Sequence, residues 1–164
     1  MAQAGEIKFI VDSNVGKLAK WLRVMGYDSL FFHSIDDARM IDIALAEGRV
    51  ILTKDTQIMR RRVITSKRLK AVLVHHDDPA QQLHQVVKEL NLDCQFRPFS
   101  RCLECNQPLM PKDREEVRDL VPLYVFQTQS QYMQCPTCHR VYWRGTHWQA
   151  MSRQLSELTT GASG

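Results

Sequence analysis

Arg49-Val50-Ile51-Leu52-Thr53-Lys54-Asp55 is a short apolar run that leads into an aspartate, and two other stretches share its form: Lys8 to Asp12, and Asp28 to the pair Asp36/Asp37. Continuous apolar runs of this length suit strands buried on both faces of a parallel sheet. The intervening segments have helical spacing. Val15 to Met25 carries Leu18, Ala19, Leu22 and Met25 on one face, with Gly26 as its stop. A second helix, capped by Asp36 or Asp37, buries Met40, Ile41, Ala44 and Leu45 and closes at Gly48. The strands themselves read as residues 7–11, Ser29–His33 and Val50–Thr53. An arginine-rich helical segment follows Asp55, then a fourth strand over Lys70–His75. The next helix is capped by Asp77 or Asp78, has Pro79 in its first turn and buries Leu83, Val86, Val87 and Leu90. The order βαβαβαβα predicts an α/β fold, a parallel sheet with right-handed crossovers and flanking helices. Ligands of such sheets bind beyond the carboxyl ends of the strands, where Asp12, Asp36/Asp37, Asp55 and Asp77/Asp78 fall.

The chain has 164 residues, 44% apolar and 24% charged, enough for one full core and a small satellite, which excludes disorder as the default. Its first residues, Met-Ala-Gln-Ala-Gly-Glu, lack a basic n-region, and no apolar stretch is long enough to span a bilayer. The expectation is a cytoplasmic protein with no membrane partner. A net charge of +4 is compatible with a polyanionic partner. Around Phe96 to Arg101 helical periodicity stops and Pro98 appears, which places a domain boundary near residue 97. The remainder, 98–158, is expected to form short strands, with Leu123–Thr128 and Gln131–Trp143 rich in aromatic and β-branched residues. Residues 159–164 are small and polar and are expected to be a disordered tail.

Four of the five cysteines form two Cys-x-x-Cys pairs, Cys102/Cys105 and Cys135/Cys138. In a reducing compartment such pairs are zinc knuckles, and four thiolates close the coordination sphere, so the predicted Zn²⁺ is structural. A module of this size has little core of its own, and the metal supplies folding free energy. Cys94 is left as a small buried hydrophobe. His139 follows Cys138 but is not needed as a ligand, and His147 reads as surface or packing.

Taken singly, an aspartate after a strand is a turn or helix cap. Several brought together repel one another unless a cation resolves them, and hard oxygen ligands suit Mg²⁺ or Mn²⁺. Thr53 points to the same side of its strand as Asp55 and is placed to hydrogen-bond a ligand carboxylate; Ser13 and Asn14 have similar capacity beside Asp12. Lys17, Lys20 and Lys54 lie near this edge, and Arg60, Arg61, Arg62, Lys67, Arg68 and Lys70 form a positive run. Such a run is either a solvated face or a track for a phosphate backbone, the latter reading favoured beside a metal site. Tyr132, Tyr142, Trp143 and Trp148 are expected mainly to pack the cysteine module, with base stacking as the minor role.

With these residues in place, the chain resembles the Mut-seven C-terminal ribonuclease domain, a branch of the PIN-like nucleases with an appended zinc ribbon. The likeness rests on Val11-Asp12 with Gly16-Lys17-Leu18-Ala19-Lys20-Trp21-Leu22-Arg23 and Gly26-Tyr27-Asp28. It continues through Asp37 and Glu47-Gly48-Arg49-Val50-Ile51-Leu52-Thr53-Lys54-Asp55, and the ribbon adds 101–106 and 135–143. The resemblance implies a compact PIN-like, Rossmann-like nuclease unit over 1–97, a zinc ribbon after it, and a metal-dependent endoribonuclease acting on single-stranded RNA. It also implies Asp12, Asp37 and Asp55 as the catalytic acids and thereby prefers Asp37 to Asp36. Larger PIN domains add an acid from an intervening helical region; this chain has no clear counterpart, and Asp36, Asp42 and Asp77 are the candidates. The expected reaction is in-line hydrolysis assisted by one or two divalent ions, with no protein nucleophile. The alternative is a PIN-like module with little or no activity that binds RNA or a protein. A phospho-acceptor reading of Asp55 lacks the adjacent acidic pair, since Ser13 and Asn14 follow Asp12. Gly16-Lys17 has no glycine-rich loop before it, so nucleotide hydrolysis is not supported.

Overall fold

The apolar runs form the strands of a four-stranded parallel sheet in a computed structural model of the chain, which describes residues 6–162, with side chains through Glu157. The elements are β1 (Lys8–Val11), α1 (Lys17–Val24), β2 (Ser29–Phe31), α2 (Asp37–Glu47), β3 (Arg49–Thr53), α3 (Thr56–Met59), α4 (Arg62–Thr65), β4 (Ala71–Leu73) and α5 (Pro79–Leu90). The sheet order is β2-β1-β3-β4, with Val11 opposite both Phe31 and Leu52, and Thr53 opposite Leu73. The parallel α/β architecture expected from the sequence is therefore present. Strand alternation divides the core between the two faces. Phe9, Val11, Val50 and Leu52 pack with Leu18, Leu22, Leu83 and Val86 from α1 and α5. Ile10 and Ile51 pack on the opposite face with Met40, Ile41 and Ala44 of α2, together with Ile58 and Leu69. Cys94 is buried in the first of these clusters.

The C-terminal part holds a second sheet, antiparallel, of β5 (Met110–Lys112), β6 (Tyr132–Gln134) and β7 (Val141–Trp143). Two elements differ from the expected short strands. Leu123–Thr128 is a helix, α6, despite its β-forming residues. Tertiary contacts override local propensity: Val125 is buried against Val117 and Tyr132, and the Tyr132 hydroxyl lies 2.9 Å from the carbonyls of both Val125 and Gln129. The second is α7 (Thr146–Ala162), which continues through residues expected to be a disordered tail; Ser163 and Gly164 lie outside the described residues. Trp148, Met151 and Leu155 recur at helical spacing, and they pack back on the core formed by α1 and α5. Burial on that face explains why the helix forms. Among the described residues no helix is long and apolar enough to cross a membrane.

A polar seam joins the two parts along β2, an edge of the parallel sheet. The Ser29 N–H, on that edge, donates to Asn106 Oδ1 at 2.8 Å, and Asn106 Nδ2 donates to Asp28 Oδ1 at 2.7 Å. Buried Arg23 donates to the Leu103 carbonyl at 2.7 Å and to the Ser29 carbonyl at 3.0 Å. Burial alone would raise the Asp28 carboxyl, but hydrogen bonds from Arg49 and Asn106 outweigh it and hold the group below its ordinary value. Gly26 closes the seam at φ +96°, where an added Cβ would stand 2.3 Å from the Arg97 carbonyl oxygen.

Candidate functional site

The chain passes from β1 to β2 on one side and then through α2 to β3 on the other, so the strand order reverses between β1 and β3. The carboxyl ends at such a reversal form a crevice. Asp12 and Asp55 follow these two strands. Asp12 is 7% exposed; its Oδ1 accepts the Ser13 N–H at 2.8 Å, and its Oδ2 accepts the Thr53 hydroxyl at 2.6 Å. Asp55 caps α3 by accepting the Gln57 N–H at 2.8 Å, while its own N–H donates to Thr53 Oγ1 at 2.9 Å. Fully buried Thr53 thus holds both aspartates by one hydroxyl. Asn14 adds a third tie across the reversal, accepting the Lys54 N–H at 3.2 Å.

The pair at residues 36 and 37 separates into two roles. Asp36 is the cap of α2, accepting the Arg39 N–H at 2.7 Å. Asp37 lies in the first helical turn and, among the described residues, makes no side-chain hydrogen bond. Its carboxyl is raised above the ordinary value by partial burial, then by the charges of Asp55 and Asp12, with Arg61 partly offsetting them. Asp37 is therefore within electrostatic reach of the other two. The three carboxylates are not drawn within 4.8 Å of one another, a spacing that only the cysteine group meets among the described residues. Their donor chemistry, hard oxygens around one crevice with a repulsion that a cation would relieve, fits a divalent ion of the Mg²⁺ or Mn²⁺ type. Asp42 is exposed on α2, and Asp77 is exposed and ion-paired with Lys54.

Lys20 pairs with Glu104 at 3.0 Å, on the cysteine module. Arg60, Arg61, Arg62, Lys67 and Arg68 are exposed on and around α3 and α4, without an ion pair among the described residues, and so is Lys17 on α1. Of these, Arg61 is the one whose charge reaches Asp37. Ser13 is exposed, and its backbone N–H meets Asp12.

The cysteines form the second site. Ligand atoms of Cys102, Cys105, Cys135 and Cys138 all lie within 4.8 Å of one another. Each knuckle turns through a left-handed residue after its second cysteine, Asn106 at φ 65° and His139 at φ 66°. Backbone N–H groups of Cys105 and Cys138 point at the first sulfur of each pair, at 3.3 and 3.4 Å. Cys105 and Cys138 are shifted in opposite directions. Hydrogen bonding to Cys138, with burial, pushes Cys105 up to about 12. Burial also raises Cys138, but the Arg140 N–H and the neighbouring thiols outweigh it and bring that group down to about 7. Four sulfurs this close, with the Cys102 and Cys105 thiols raised, suit a cation that takes all four as thiolates, and the set fits Zn²⁺.

The sequence signals gave no role to the seam residues Arg23, Asp28, Arg49 and Asn106, whose hydrogen-bond partners lie far away in the chain. They also assigned the aromatic residues only coarsely. Tyr132 is buried in the module's own core, Tyr142 places its hydroxyl 3.2 Å from the Cys102 sulfur, and Trp148 packs edge-on against Phe99.

A family model described as "Mut7-C RNAse domain" matches residues 7–155. Neither a curated protein nor a solved structure matches the chain.

Proposed function

This chain belongs to the Mut7-C RNAse domain family, and from that premise we propose that it is a metal-dependent endoribonuclease whose catalytic acids are Asp12, Asp37 and Asp55. The family is one of RNase domains, which makes RNA the substrate. The observation that carries the residue assignment is the Thr53 bridge: one buried hydroxyl holds Asp12 and the Asp55 backbone at the strand-order reversal, while Asp37 feels both charges. Capping accounts for one oxygen of Asp12 and one of Asp55, but it gives no role to Asp37, which makes no side-chain hydrogen bond and feels both of their charges.

A Mg²⁺ or Mn²⁺ ion held by Asp12, Asp37 and Asp55 would supply charge neutralisation at the scissile phosphate and would lower the pKa of water so that hydroxide is available as the nucleophile. The protein's part is positioning. Thr53 and the Ser13 N–H fix both oxygens of Asp12, Asp55 is held by α3, and Asp37 is left free of hydrogen bonds to take up a ligand. Arg60, Arg61, Arg62, Lys67 and Arg68 hold the RNA backbone, with Lys17 on the other flank, and they position it without reading sequence. Lys54, tied to Asp77, and Lys20, tied to Glu104, serve the fold first. The four-cysteine module holds structural zinc and keeps β2 in register through Asn106. The thiol set suits the reducing cytoplasm.

The test is cleavage of an end-labelled single-stranded RNA with Mn²⁺ by wild-type protein and by Asp12→Asn and Asp55→Asn. Cleavage by the wild type and its loss in both variants, with folding intact, supports the assignment. Undiminished cleavage by both, in protein free of contaminating nuclease, overturns it. RNA binding without cleavage by the wild type would instead mark a recruiting module.

A further inference from the structure

We infer that Phe32 is a stacking platform for an unpaired base of RNA bound at the aspartate edge, an inference that rests on the nuclease reading above and deepens it. Six large apolar side chains are exposed among the described residues: Phe32, Leu45, Met110, Leu120, Leu123 and Tyr124. Single exposed apolar residues are ordinary, and what singles out Phe32 is its place. In the parallel register Val11 is opposite Phe31, so the next residues, Asp12 and Phe32, leave neighbouring strands side by side. Such strands are about 4.8 Å apart. Strand alternation also sets the face. Val11 and Phe31 both belong to the core on the α1 side, so the residues that follow them turn to the opposite face, where Thr53 meets Asp12.

The residues on both sides of Phe32 are packed. Phe31 fits against Gly16, where an added Cβ would stand 2.8 Å from its ring, and the His33 ring meets Phe31 edge-on at 5.1 Å. Gly16 itself lies in the turn that carries Asp12 into α1, so the two strand ends are locked together. Phe32, 39% exposed between these two anchored neighbours, offers its ring to a planar partner. Bases in a duplex are already stacked on one another, whereas an unpaired base can be splayed onto an aromatic ring. Phe32 therefore selects single-stranded RNA, and the arginine run supplies the backbone contacts that stacking lacks.

The experiment measures the affinity of fluorescein-labelled single-stranded RNA by anisotropy, with Ca²⁺ in place of Mn²⁺ to prevent cleavage. Wild type, Phe32→Leu and Phe32→Trp are compared on the intact oligonucleotide and on a series with one abasic nucleotide moved along it. Stacking of one base is worth about tenfold in affinity. The expectation is about tenfold weaker binding by Phe32→Leu, wild-type or tighter binding by Phe32→Trp, and one abasic position that weakens the wild type but not Phe32→Leu. Equal affinities for wild type and Phe32→Leu overturn the inference, as does a loss in Phe32→Leu that leaves the abasic profile unchanged. In both cases the nuclease reading stands if the wild type binds RNA and cleaves it when Mn²⁺ is supplied. Wild-type protein that neither binds nor cleaves RNA overturns that reading and this inference with it.

Discussion

Replacing Thr53 by valine tests the bridge on which the candidate site is built. The two side chains have nearly the same shape, so the change removes the hydroxyl and leaves the volume. It breaks the 2.6 Å hydrogen bond to the Asp12 carboxylate and the 2.9 Å hydrogen bond from the Asp55 N–H, at a residue with no exposed surface. A hydrogen bond to a charged acceptor contributes about 1.5–3 kcal/mol and one between neutral groups about 1 kcal/mol, so Thr53→Val should cost about 3 kcal/mol. At a urea slope of about 2 kcal/mol/M the midpoint falls by about 1.5 M. Thr53→Ser keeps the hydroxyl and should lose only about 1 kcal/mol for the missing methyl group. Urea unfolding followed by circular dichroism separates the two variants. A valine variant as stable as the serine variant would refute the bridge, and with it the argument that the strand ends are held as one unit.

Three further outcomes follow from the same geometry. Asn106→Gly retains the left-handed backbone but removes the bonds to Ser29 and Asp28, so it should cost about 2 kcal/mol and speed hydrogen exchange at the Ser29 amide; unchanged exchange would show that the seam does not hold the edge. Metal analysis should find about one zinc per chain, because four ligands make one closed site, and strong acid should release it as the thiolates take up protons. Retained zinc in Cys102→Ser/Cys135→Ser would contradict this assignment. The Asp37 carboxyl is raised in the fold, so the folded state holds that proton more tightly than the unfolded one, and the stability this gives is present at acid pH and lost as pH rises through the folded value. Asp37→Asn should then raise the melting temperature at pH 7, with the gain vanishing below the ordinary carboxylate range. Added Mn²⁺ should stabilise the wild type more than the variant, and the reverse ranking would count against Asp37.

The parallel sheet was legible because apolar runs alternate with helical spacing over residues 7–90, with aspartate caps at the starts of α2 and α5 and glycine stops at Gly26 and Gly48. The cysteine pairs were equally plain, since two short motifs specify the donor atoms of a closed site. Other features depended on contacts distant in the chain. Leu123–Thr128 has strand-forming residues, yet Tyr132 and Val117 draw it into a helix. The stretch after Gly145 carries a helical repeat in Trp148, Met151 and Leu155, but its burial partners are α1 and α5, on the far side of the cysteine module in sequence. Among the acids, no local pattern separates Asp36 from Asp37. The division between a cap and an unpartnered carboxylate arises from where α2 begins relative to the ends of β1 and β3.

Asp12, Asp37 and Asp55 are proposed together to hold the catalytic metal. The most direct test is a crystal of the protein soaked in Mn²⁺ and measured for anomalous scattering. A peak between these three carboxylates is expected, and a well-ordered site without one at saturating Mn²⁺ rules them out as the metal's ligands.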